Sequence, residues 1–187
     1  MSPAVKGIVD HILLDRSILE GRGQIIRNPI PLASLTHQPI TITNIRANRS
    51  PPGLKAQHSA GIKLVADISN AHTNGIDKGS HFIDTFESKC IRTGDYVCDI
   101  GTAGSTGLLF QSSLPCLLFP EVDGIELSSS SIRRDSGERC RSRLSLVGGT
   151  NGLLAPQIDY IQKYPSPFIK KTFSTKWCLI RTFNGFE

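Results

Sequence analysis

Residues 8–14, apolar and β-branched at the start, predict a strand. Glu20-Gly21-Arg22-Gly23-Gln24 then reads as a turn. The apolar stretch at 25–35 predicts a helix, shortened or kinked by Pro29 and Pro31, since an interior proline costs about 3 kcal/mol. Alternation over 39–45 predicts a second strand, and the proline-rich residues 48–53 a stiff loop. Leu54, Ile62, Leu64, Val65 and Ile68 suit one face of an amphipathic helix over 54–70. Residues 76–86 read as one or two short strands. The pattern then restarts with a strand over 96–100, a glycine turn at 101–104 and a mostly apolar helix over 105–119. A strand at 144–147 ends on Gly148-Gly149, residues 155–173 read as a helix interrupted by Pro165 and Pro167, and 177–183 as a last strand.

The order β-α-β-α-β therefore occurs twice, each time with a glycine turn before the first helix. This predicts two structural repeats, residues 1–92 and 93–187, the second incomplete, with a boundary near 89–94. Alternating helices and strands imply an α/β fold, an α+β sandwich of small sheets covered by helices. Residues 120–145 do not fit: they hold four consecutive serines and five arginines. So long a stretch without a pattern reads as a disordered insertion, with a basic RNA-contacting arm as the functional alternative.

Composition narrows the function classes. In 187 residues, 21 Lys+Arg against 16 Asp+Glu give a net charge of +5, which admits a polyanionic partner. Aromatic residues at 6% do not suggest a stacking-rich single-strand binder. Five cysteines at 90, 98, 116, 140 and 178, with no C-x-x-C pair, argue against a disulfide framework and a zinc site. No signal-type leader or membrane-length apolar run is read in the sequence, so an intracellular protein is expected. G-x-S-x-G, H-E-x-x-H and the deaminase pattern are missing, and the five histidines are scattered.

Three stretches carry candidate chemistry. In the run from Glu20 to Arg27, glycines permit a tight turn before a helix, which favours an anion; a carboxylate at Glu20 makes sense there if a divalent metal lies between. From Ile45 to His58, the loop places Arg46, Arg49, Lys55 and Gln57 on a proline-stiffened strand end. Arginine forks match phosphate geometry, although a solvated charged loop is an equal reading. The run from Gly101 to Gln111 lacks the P-loop lysine. Gln111, within an apolar helix, reads either as a satisfied core amide or as a reader of a polar ligand.

Taken together and in order, these stretches resemble the RNA 3′-terminal phosphate cyclase family. The first resembles its E-G-x-G-Q-I-x-R turn, the second its I-R-A-x-R-x-x-P-G-L-x-x-Q-H loop and the third its A-G-S-x-x-L-x-x-Q helix. A fourth run, from Gly148 to Tyr160, is similar to its G-G-T-N-x-x-x-A-P-Q-x-D-Y. The resemblance implies tandem β-α-β-α-β-β repeats. It also implies ATP-dependent conversion of an RNA 3′-phosphate to a 2′,3′-cyclic phosphate, with Mg2+ or Mn2+, through a histidine adenylate and then an adenylylated RNA end. By the same resemblance, Glu20 serves metal and triphosphate, Arg27, Arg46, Arg49 and Gln57 hold phosphates of ATP or RNA, and Gln111 and Pro156 line the adenine-nucleotide pocket.

Three departures accompany it. Arg22 replaces a usual glycine, Pro29 and Pro31 stand where the family has an unbroken helix, and none of the five histidines lies in the family's nucleophile motif. The expectation is a shortened member, about half the usual length, whose nucleophile lies beyond these residues. The alternative is a non-catalytic relative that binds RNA or serves rRNA processing. A nuclear location is expected first, a cytoplasmic one second.

Overall fold

The computed structural model describes residues 11–15, 23–121, 142–152 and 154–173. The first half runs β1 (Ile12–Asp15), α1 (Gln24–Arg27), α2 (Pro29–Thr36), β2 (Ile40–Thr43), α3 (Ala56–Ser69), β3 (His72–Asn74) and β4 (Ile83–Glu87). The expected kinked helix is thus two helices that meet at Asn28. Pro29 opens α2, where a helix has no use for its missing N–H, so the prolines set a start rather than break an interior. His37 and Asn70 end α2 and α3 in the left-handed region, where asparagine is tolerated better than most residues.

These strands form one sheet in the order β1-β2-β4-β3, with β1 and β2 parallel and the other pairs antiparallel. Period-two alternation sends Ile40 and Ile42 inward, fully buried, and leaves Thr41 and Thr43 half-exposed. Helix α3 closes that face with Ile62, Val65 and Ile68.

The second half runs β5 (Asp95–Asp99), α4 (Thr106–Leu118), β6 (Arg143–Val147), α5 (Ile158–Lys163) and α6 (Pro165–Phe173). β5 and β6 pair in parallel from Asp95↔Arg143 to Asp99↔Val147, which requires a crossover, and α4 lies within it. Helix α4 packs on α3 and α2. One buried core consequently runs from Ile26 to Cys116 across both halves, and a smaller cluster of Phe110, Ile158 and Ile161 seats α5. The chain has an α/β fold.

Several sequence expectations need adjustment. Strand β6 begins at Arg143, so an insertion reaching 145 overruns the first residues of a regular strand. At the other end, the Glu121 N–H donates to the Ile91 carbonyl at 2.9 Å and its carboxylate meets His37 at 2.9 Å. Residues 122–141 and the expected strand at 177–183 lie outside the described residues. Of the one or two strands expected within 76–86, one is β4 at 83–87; β3 lies before the range at 72–74, because residues 75–82 form the loop that the left-handed Gly75 and Gly79 permit.

Cys90, Cys98 and Cys116 are free thiols. Burial pushes the Cys98 and Cys116 thiols up to about 11, so both stay protonated and behave as small apolar groups. Among the described residues no helix is long and apolar enough to cross a membrane.

Candidate functional site

The four sequence motifs lie far apart in the chain, and the fold joins them edge to edge. Helix α1 is a single turn, and its last residue, Arg27, folds back over Gly23. A Cβ built on Gly23 would stand 2.6 Å from Arg27 Nη1 and 2.8 Å from His58 Nε2, so the glycine provides the space both side chains occupy. His58, at the third position of α3, turns its Nδ1 back to the Lys55 N–H at 3.5 Å, as a helix cap does. That leaves its Nε2 facing Gly23 and the Arg27 side.

Arg27, Gln57, His58, Leu108 and Ser112 line a small cleft between α1, α3 and α4, about 10 Å³ in volume, room for a single water. Arg27 is half-buried, and burial lowers its pKa. Its Nε is buried without a hydrogen-bond partner. A guanidinium held this way, with no carboxylate among the described residues that line the cleft, has donor capacity left for an anion.

The second motif forms the loop after β2. Ile45 N donates to His81 O at 2.8 Å, Leu54 N to Ser80 O at 2.9 Å and Gly79 N to Leu54 O at 2.7 Å, pinning both ends of the loop to residues 79–81. Arg46 takes a left-handed conformation at φ 54°, uncommon for a long side chain. Its Nη2 donates to Pro51 O at 3.5 Å, while its Nε is a second buried nitrogen without a partner. Arg49 is exposed, and neither arginine lines the Arg27 cleft.

Gln57 ties the second motif to the third. Its Oε1 accepts the Ser105 N–H at 2.9 Å, at the start of α4, and the Ser105 Oγ beside it is buried without a partner. Loss of this acceptor leaves a buried N–H unmade, which costs about 1–3 kcal/mol. Gln57→Ala is therefore expected to lower the urea-unfolding free energy by about 1–2 kcal/mol, with Gln57→Glu retaining most of it. An unchanged midpoint would assign Gln57 to a ligand alone.

The third and fourth motifs meet through backbone. Gly149 N donates to Gly104 O at 2.7 Å, and Thr106 N donates to Gly149 O at 2.8 Å, continuing the β5–β6 ladder into the glycine turns. One residue on, Gly107 lies against the Pro156 carbonyl, and a Cβ there would stand only 2.3 Å from that oxygen.

The placement of the predicted site residues is uneven. Arg27 and Gln57 share the cleft, and Pro156, half-buried, abuts α4. Gln111 is exposed, not a buried amide; Leu108 and Ser112 of the same helix turn toward the cleft instead. Pro115 has no N–H to give the Gln111 carbonyl, which suits a position facing water. Glu20 and Arg22 lie outside the described residues. Ser105 and Ser112 drew no attention in the sequence, because serine in a mostly apolar helix carries no signal of its own. Among the described residues no group of three or more His, Cys, Asp or Glu side chains is placed to hold a metal. The metal expectation rests on Glu20, outside the described residues.

The fold is of the α/β class, and comparison with known proteins names the family. The family model for RNA 3′-terminal phosphate cyclase matches residues 18–183. The chain belongs to the RNA 3′-terminal phosphate cyclase family. Proteins named RNA 3′-terminal phosphate cyclase from Pyrobaculum aerophilum, Caldivirga maquilingensis and Archaeoglobus fulgidus are 37%, 40% and 40% identical to it over 151 residues, 81% of this chain. The matched segment spans only 38–40% of the length of those relatives.

Proposed function

We propose that these residues form phosphate-binding walls of an ATP-dependent RNA 3′-terminal phosphate cyclase, the enzyme class that converts an RNA 3′-phosphate to a 2′,3′-cyclic phosphate. The observation that carries this reading is the half-buried Arg27, whose Nε lacks a partner beside Gln57 and His58 in a cleft lined by no carboxylate among the described residues. Such a group binds an anion without first breaking an ion pair.

In this reading Arg27 and Gln57 orient phosphate oxygens, Arg46 and Arg49 gather the second anionic group from the neighbouring loop, and Gln111 and Pro156 flank the nucleotide. Glu20 would hold Mg2+ or Mn2+ against the triphosphate. ATP, when bound, supplies the activated group that turns a poor phosphate electrophile into one with a good leaving group. The chain's own part is to bind and align. None of its histidines lies in the family's nucleophile motif, and His58 Nδ1 is engaged with the Lys55 amide. A nuclear location, or failing that a cytoplasmic one, belongs to the same proposal.

The test compares binding of short single-stranded RNAs ending in 3′-phosphate or 3′-hydroxyl, with and without ATP and magnesium. A preference of about tenfold or more for the phosphate end is expected, corresponding to about 1.4 kcal/mol. End-blind binding would instead identify a non-catalytic relative. Incubation with α-phosphate-labelled ATP is expected to leave these 187 residues unlabelled. Acid-labile AMP on His58 would overturn the assignment of a binding role.

A further inference from the structure

Low aromatic content over the whole chain conceals a local concentration. Helices α5 and α6 run on through Tyr164: its N–H donates to the Tyr160 carbonyl at 3.0 Å, and the Phe168 N–H reaches the Tyr164 carbonyl at 3.5 Å. Tyr160, Tyr164 and Phe168 therefore recur every four residues, close to one helical turn, on one side of a nearly continuous helix. They are 55%, 56% and 67% exposed, whereas Ile158, Ile161 and Ile169 are buried. The aliphatic face anchors the helix, and the aromatic face is left to water.

The Tyr160 and Tyr164 rings lie 5.2 Å apart at a tilt of 37°, and Lys163 Nζ stands 5.5 Å from the Tyr164 ring centre. Lys170 and Lys171 follow in the last turn, exposed, and Asp159 is the only carboxylate from Ile158 to Phe173. Protein interfaces also favour tyrosine and phenylalanine but are depleted of lysine, so the exposed Lys163, Lys170 and Lys171 beside these rings weigh toward a polyanion. Rings spaced by a helical turn and bordered by lysines match the chemistry of an unpaired nucleic acid strand: bases stack on rings while phosphates meet ammonium groups.

We propose that the Tyr160–Tyr164–Phe168 face is a stacking platform for single-stranded RNA, holding nucleotides away from the 3′ end that the Arg27 cleft receives. The inference rests on RNA being the polymer this family member engages, but not on the cleft's selectivity for a terminal phosphate. Single-stranded binding through stacking tolerates sequence, so the platform supplies affinity and leaves end recognition to the cleft.

The experiment titrates the full 187-residue chain with fluorescent oligouridylate carrying either 3′-phosphate or 3′-hydroxyl. Tyr164→Ala is expected to weaken both RNAs about tenfold, and the triple change of Tyr160, Tyr164 and Phe168 to Ala at least about a hundredfold, with Tyr164→Trp restoring affinity. Lys170→Gln with Lys171→Gln should reduce the slope of log affinity against log salt by about 1.4. Ultraviolet crosslinking of 5-iodouridine RNA is expected to mark peptides containing these rings, a readout independent of affinity. Equal affinity of wild type and triple variant, no RNA binding by wild type at low salt, or crosslinks only elsewhere would overturn the platform. So would variants that change self-association of the chain and leave RNA binding intact, which would make the face a protein interface. Equal loss on both RNAs without any end preference in wild type would keep the platform and sink the cyclase reading; a retained end preference with unaltered affinity would do the reverse.

Discussion

Gly107→Ala is expected to destabilise the protein by about 3 kcal/mol, the upper part of the range for overpacking a tight contact. For a chain of this size that corresponds to a fall in Tm of roughly 6–12 °C. The added Cβ would stand 2.3 Å from the Pro156 backbone oxygen and 3.2 Å from Ile161 Cδ1. A flexible side chain would yield to it, but a backbone carbonyl ahead of α5 moves only if the turn moves. The substitution therefore pushes α5 off α4 and opens the Phe110, Ile158 and Ile161 cluster. By helix propensity alone the change should help, since alanine is favoured over glycine by about 1 kcal/mol inside a helix. Gly61 in α3 provides the matched control: an added Cβ there meets nothing within 4 Å. Gly61→Ala should raise stability by roughly 0.5–1 kcal/mol. Thermal unfolding of both variants checks the pair, and a Gly107→Ala protein as stable as wild type would show that α4 and the Pro156 turn are not locked together.

That contact also marks what could be read from the chain beforehand. The strand at Ile40–Thr43 and the helix at Ala56–Ser69 were legible because their periods, two and about 3.6, are local properties of the sequence. Proline placement was legible in part. The cost of an interior proline was visible, but not that Asn28 would end one helix so that Pro29 could begin the next. The motifs were legible as text, and their edge-to-edge arrangement was not. Gln57 meets Ser105 across 48 residues, and Gly107 meets Pro156 across 49 positions, distances over which periodicity carries no information. Gln111 shows the opposite failure. Its neighbours Leu109 and Phe110 are buried, so a linear reading places it in the core, yet its direction on the helix puts it in water. Helical direction decides burial there, and it depends on which face the α2–α3 layer covers.

Arg27→Met is expected to separate stability from binding. The folded protein holds a half-buried guanidinium with a buried Nε that no group satisfies, and burial depresses its pKa. A base whose folded pKa lies below its unfolded one disfavours folding at every pH below the folded pKa, and the cost fades only as pH rises through it. At neutral pH the charge therefore opposes folding. Methionine keeps the unbranched apolar stem over Gly23 and removes the charge and the unsatisfied donor. Allowing for solvent at the exposed half, the variant should be as stable as wild type or more so, by up to about 1 kcal/mol, across neutral pH. On the proposed cyclase reading, affinity for ATP and for an RNA 3′-phosphate should meanwhile fall about a hundredfold, since a bidentate arginine–phosphate contact would comprise two charge-assisted bonds of about 1.5–3 kcal/mol each, with part of the loss recovered by water. Arg27→Lys should recover charge but not the fork, leaving affinity between the two. Calorimetric unfolding and ligand titration on the same samples make the comparison. A Met variant that loses stability and affinity together would mean that Arg27 supports the fold of α1, and the phosphate would have to be sought on the Arg46 loop. A variant that gains stability while losing the ligand has the pattern of a residue held at some cost to the fold for its binding role, as functional sites often are.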